Sequence, residues 1–266
     1  MQVLEYEALD KLLAQLRDDG YAVIGPRLVD GVVKYLPVSS LADLPRGVFD
    51  RLGPGHYLTE ETDSPHLFAY TAGPEGLKPY LYPSREVVYT AVGDENDFKL
   101  EIPSKDYPRY AFLGVRPCDL HAVAILDKVL MDGPHPDPGY TARRSAACFI
   151  AINCSHPADA CFCESTGTGP GMRGLADMAL TEVVYDSQPI YGLECFTPTG
   201  NTLLNSVARR DATPEEYRAI EQVKSNAREQ LQRGININEV RDALLAYGHE
   251  SHWDDVAKRC LACANC

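Results

Sequence analysis

Cysteine constrains this chain more than any other residue. There are nine in 266 residues, an odd number, so internal disulfides cannot account for all of them. Seven fall into two groups: Cys118, Cys154, Cys161 and Cys163 in the middle of the chain, and Cys260, Cys263 and Cys266 at its end. In a reducing cytosol such grouping points to metal binding, not to a disulfide scaffold. Any fold must therefore carry each group to one place. Cys148 and Cys195 stand apart, in the apolar stretches "SAACFIAI" and "LECFT", and read as small buried hydrophobes.

The terminal run "KRCLACANC" spaces its thiols as the first three-quarters of the bacterial ferredoxin signature, C-x2-C-x2-C-x3-C-P. That spacing lets a tight turn wrap one face of an iron–sulfur cube, with backbone N–H groups directed at the sulfides. Zinc more often draws on well-separated C-x-x-C pairs, so iron–sulfur is the preferred reading. The fourth ligand is expected from a native chain that continues past Cys266, from an upstream cysteine or from a partner.

The middle of the chain reads as α/β. "YAFLGV" (110–115) and "ACFIAIN" (147–153) are short apolar runs of the kind that form buried strands, and each leads directly to a cysteine. Ligands collect at the carboxyl edge of open α/β sheets. Asp119 is expected to cap a helix starting at Leu120, which places Cys118 near a helix N-terminus, where the dipole favours thiolate. Cys161 and Cys163 form a C-x-C pair able to reach one centre. Together with Cys118 and Cys154 they make a complete set for a second 4Fe–4S cluster. Zinc suits four thiolates as well, and simple burial of some of these cysteines stays open. His121 and His156 are potential substitutes for one cysteine, or ordinary surface or capping histidines. "GPGMRG" (169–174) matches G-x-G-x-x-G, but it follows a cysteine loop and contains Pro170. It reads as a loop folded closely around a cluster, not as a dinucleotide site. Arg143 and Arg144 read as solvated or salt-bridged.

Three segments emerge. Residues 1–75 form an α+β segment: Leu9, Leu12, Leu13 and Leu16 follow the helical period, Gly20 closes the helix, and strand-like runs cover 21–25 and 31–38. Residues 76–205 form the α/β core with the internal cysteine site, with "REVVYTAV" (85–92) as a further strand. Residues 206–266 are helical. Thr213 and Glu216 make a capping box with Pro214 at the first helical position, and Tyr217, Ile220, Val223, Ala227 and Leu231 form one stripe closed by Gly234. The last helices lead into the start of a cluster domain.

A net charge of −13 argues against nucleic acid as a partner. No apolar run approaches the roughly 20 residues a membrane span needs. The N-terminus lacks a basic start followed by an apolar core, so a cytoplasmic location is expected.

"GVRPCDLHAVAILDKVL", then Y-x-x-RR at Tyr140 to Arg144, "NC…CFCES-x-GTGPG", "DMALTEVV" and "W-x-x-VAKRCLACANC" occur in that order. Over roughly residues 75 to 266 this resembles the beta subunit of cytosolic NAD(P)-linked NiFe hydrogenases, or sulfhydrogenases; the A-subunit of anaerobic sulfite reductase is similar. The resemblance implies a mixed α/β core whose helical C-terminal segment enters a ferredoxin-like dicluster domain, truncated here. It implies an electron-transfer subunit with 4Fe–4S clusters, one internal and at least one C-terminal. The partners implied are a flavin and NAD(P)-binding subunit and the NiFe hydrogenase small and large subunits. No catalytic base or nucleophile motif stands out, which suits an electron relay in an oxidoreductase complex. A flavin- or deazaflavin-reducing enzyme and a zinc-stabilised scaffold are the other readings.

Overall fold

The computed structural model describes residues 1–53, 56–71, 73, 76–93, 97–101, 106–185, 187–205, 207–248 and 251–260. β1 (Gln2–Glu5) runs into α1 (Tyr6–Asp18), which buries Ala8, Leu9, Leu12, Leu13 and Leu16 on one stripe. Full burial of a leucine contributes roughly 1.5–3 kcal/mol, so packing outweighs the marginal intrinsic stability of so short a helix. Gly20, at φ +83°, ends it as expected. β2 (Ala22–Val29) and β3 (Val32–Pro37) follow, joined by Asp30 and Gly31, both at positive φ, the backbone a two-residue hairpin turn demands.

Two separate hairpins come next: β4 (Val48–Gly53) with β5 (His56–Glu61), and, after the one-turn α2 (Lys78–Leu81), β6 (Thr90–Gly93) with β7 (Phe98–Glu101). Then come β8 (Tyr110–Val115), α3 (Pro117–Leu130), α4 (Pro138–Ala146), β9 (Cys148–Ile152), the one-turn α5 (Cys163–Thr166), β10 (Met178–Tyr185) and β11 (Gln188–Cys195). The remainder is α6 (Pro198–Leu204), β12 (Arg210–Asp211), α7 (Pro214–Glu229), α8 (Ile237–Ala246) and α9 (Ser251–Arg259).

The main sheet has the order β12-β1-β11-β10-β9-β8-β2-β3. Its centre, β10-β9-β8-β2, is parallel, and antiparallel strands flank it. Side chains alternate across it. Cys148, Ile150 and Ile152 join α1 and α6 in one core, while Phe149 and Ala151 join α3 and α4 in the other. α7 covers the second face further along, with Ile220 against Val3, Val183 and Ile190. This is a three-layer α/β arrangement, and its sheet takes strands from residues 2–37, 110–195 and 210–211 alike.

Local departures from expectation have physical causes. α3 starts at Pro117, not Leu120, and Asp119 lies inside its first turn without capping it; proline's fixed φ suits the first helical position. The stretch 85–92 yields a strand only from Thr90. In α7 the Thr213–Glu216 capping box forms, but Glu216 is buried and Tyr217 exposed, because Arg210 grips the Glu216 carboxylate at 2.6 Å. α7 ends at Glu229, short of Gly234. No helix among the described residues is long and apolar enough to cross a membrane. The expected dicluster domain falls beyond the described residues.

Candidate metal centre

β8 and β9 are adjacent and parallel, so their carboxyl ends open at the same edge of the sheet. Each end delivers a cysteine. β8 carries an irregularity between Leu113 and Val115, where Gly114 adopts φ +75°. The residue is glycine because a Cβ would meet the Phe68 ring at 2.8 Å in a conformation other residues resist. The bulge switches Val115 to the α3 side, with Phe112, and leads directly to Arg116, Pro117 and Cys118. Cys118 sits in the first turn of α3, the dipole position anticipated from sequence.

Cys154 follows Asn153 at the end of β9, and its amide donates to the Pro170 carbonyl at 3.1 Å. Cys161 closes a turn on Ala158 at 2.9 Å, and Cys163 opens α5, its carbonyl accepting the Thr168 amide at 2.9 Å. The loop then folds back over the site. A Cβ on Gly169 would lie 3.1 Å from the Cys163 sulfur, so the glycine permits a close approach there.

Cys118, Cys154, Cys161 and Cys163 all line one cavity of about 280 Å³. That exceeds by more than tenfold the roughly 10–15 Å³ that a single water requires. As the side chains stand, no three His, Cys, Asp or Glu groups among the described residues are gathered tightly enough to hold one metal ion. The thiols ring a space.

The electrostatics follow from this crowding. Burial pushes the Cys118, Cys154 and Cys161 thiols up, and it takes Cys163 to about 11, with charge on Cys154 and Cys161 adding to the effect. Cys118 is open to the cavity by surface area, yet the walls and Asp119 still crowd its sulfur. Without a cation these four groups hold their protons; bonding to metal removes the proton and the mutual repulsion together. An all-thiol set is a soft donor set, suited to an iron–sulfur cluster or to zinc, and the chemistry of the residues fits either.

Arg116 and the N-terminal segment complete the walls. Arg116 is 1% exposed. Its Nη2 donates to the carbonyls of Phe68, at 2.8 Å, and Tyr70, and its Nη1 lies 3.9 Å from the Cys154 sulfur. On the other side of the same strap, the buried Glu182 carboxylate accepts the amides of Leu67 at 2.7 Å and Phe68 at 3.0 Å. Leu52 and Thr71 also line the cavity, and Asp50 fixes Thr71 by accepting its amide at 2.8 Å. Sequence reasoning missed these wall residues; only Arg116, next to Pro-Cys, lay within a motif already singled out.

His156 does not join the thiols. It packs edge-on to Phe49 and His66 and pairs with the Ser155 hydroxyl at 2.9 Å. Cys148 is fully buried and Cys195 partly so. Arg143 and Arg144 are engaged internally, with Glu86 at 2.9 Å and Asp127 at 3.0 Å. Cys260 is exposed just beyond α9, and Cys263 and Cys266 lie outside the described residues.

No protein-family model matches the chain, and no solved structure matches it. Among curated proteins it is similar to the protein named sulfhydrogenase 2 subunit beta from Pyrococcus furiosus, 29% identical over 59% of this chain and 46% of that protein. The match thus spans under half the length of that relative, and within that span the chain resembles a sulfhydrogenase beta subunit.

Proposed function

We propose that this chain is the iron–sulfur electron-transfer subunit of a hydrogenase-type oxidoreductase complex in the cytoplasm. The observation that carries the reading is the ring of Cys118, Cys154, Cys161 and Cys163 around one cavity at the carboxyl ends of two adjacent parallel strands. Four thiolates on a single zinc ion, at about 2.3 Å each, would stand roughly 3.8 Å apart; thiols spread around a larger space suit a cube better. A 4Fe–4S cluster bound there would take up and release one electron at a time. Cys260, Cys263 and Cys266 are proposed as ligands of at least one further cluster.

The chain's own residues do the rest. The α3 dipole and Arg116 favour thiolate at Cys118 and Cys154. The 154–172 loop and the 67–71 strap wall the site on two sides. The residues form no nucleophile–base pair, so the electron's source and destination lie in other subunits. The name of the relative supports a subunit role; a flavin and NAD(P)-binding subunit and the NiFe hydrogenase small and large subunits are the partners proposed.

The test is optical. The anaerobically purified chain should be brown, bleach on one-electron reduction and carry no flavin. Bound flavin would favour a flavin-reducing enzyme, and a colourless zinc protein would favour the scaffold.

A further inference from the structure

We propose that Arg116 sets the reduction potential of the four-cysteine site, as the buried counter-charge to the thiolate-ligated group; this rests on the cluster reading above. Arg116 is a positioning residue here, acting through Cys154, and not a ligand.

A guanidinium with 1% exposure is costly unless an anion faces it. Its two Nη2 contacts are to neutral carbonyls, those of Phe68 and Tyr70, which satisfy donors without balancing charge. The Tyr70 ring lies under it, 5.2 Å from ring centre to guanidinium carbon. Its Nε is buried with no hydrogen-bond partner. Every ion pair found among the described residues leaves Arg116 out. Asp119 and Glu182 feel its field, yet neither stands within ion-pairing distance. What the guanidinium does face is the cavity and the Cys154 sulfur, at 3.9 Å. The anion that justifies its burial is therefore the occupant of the thiol ring.

The consequence for redox is directional. A four-thiolate cube carries a charge of about −2, and gaining one electron takes it to about −3. A fixed cation beside it, in a low-dielectric wall, stabilises the more negative state by more. Arg116 therefore raises the potential, and its loss lowers it.

The experiment is an anaerobic EPR redox titration of the full chain, following the signal that Cys161→Ser removes. Arg116→Gln should retain iron and shift the one-electron equilibrium at least tenfold toward the oxidised form, about 59 mV downward. Arg116→Lys keeps the charge but loses the fork across two carbonyls, and should stay within threefold of wild type. An unchanged potential in an iron-bearing Arg116→Gln overturns the proposal while leaving the cluster reading intact. If Arg116→Gln loses its iron, the lysine variant decides: iron and potential retained support the proposal, and iron lost again assigns Arg116 a purely structural role. A wild-type chain without iron overturns both readings.

Discussion

The Asn153 side chain accepts the Met172 backbone amide at 2.7 Å and donates to the Thr181 hydroxyl at 2.8 Å. Asn153 is 2% exposed and directly precedes Cys154, while Met172 ends the loop that returns over the thiols. One amide group thus fixes the end of β9, the end of the cluster loop and β10 relative to one another. Asn153→Ala leaves a buried amide and a buried hydroxyl without this partner, at about 1–3 kcal/mol. The expected result is a lower melting temperature together with a lower iron content per chain, measured on the same preparation.

The two cysteine groups should differ in their structural consequences. Cys161→Ser or Cys163→Ser removes a ligand from a site that joins two strand ends, so metal binding there is part of folding free energy. Both variants should lose stability as well as iron. Cys263→Ser should abolish one terminal cluster and stop electron flow to the external acceptor, with the melting temperature of the α/β core unchanged. Thermal unfolding and dye-linked electron transfer in the assembled complex check the contrast.

Much of this arrangement was legible in the residues. β8 and β9 were readable because strands covered on both faces are apolar throughout, and Cys118 and Cys154 lie just past their ends. The capping box at Thr213 and Glu216 was readable because its parts are three residues apart. Long-range relations left no such trace. Nothing around Leu52 or Thr71 announces a wall of the thiol cavity, since sequence-distant packing has no local period. The start of α3 was misplaced because Pro117 at the first helical position outcompeted Asp119 as a boundary. The Gly114 bulge was hidden inside an apolar run that reads equally well as a regular strand.

Gly114→Ala should be among the most damaging single-methyl changes in the sheet. It combines a φ of +75° with a Cβ placed 2.8 Å from the Phe68 ring, costing about 2–5 kcal/mol. Gly174→Ala is the control: its φ is +79°, but a Cβ there meets nothing within 4 Å, so only strain of about 1–2 kcal/mol remains. Denaturant midpoints of the two variants measure the difference.

Burial pushes the Glu182 carboxyl up to about 7 from 4.5, despite the opposing pull of the Leu67 and Phe68 amides and Arg116. The folded state therefore binds this proton more tightly than the unfolded state does. Its contribution to stability is full below pH 4.5 and is lost as pH rises toward 7, by up to about 3 kcal/mol. Glu182→Gln cannot titrate. It should be less stable than wild type at pH 4.5, where one backbone amide loses its acceptor, and should show a flatter loss between pH 4.5 and 7. Urea unfolding across that range gives both quantities.

The central claim is tested most directly by metal and sulfide analysis of the anaerobic full chain with Cys260, Cys263 and Cys266 all replaced by serine. The account predicts about four iron atoms and as many acid-labile sulfides per chain, both lost when Cys163→Ser is added. Stoichiometric zinc without sulfide, or four thiols that titrate freely with no metal bound, would contradict it.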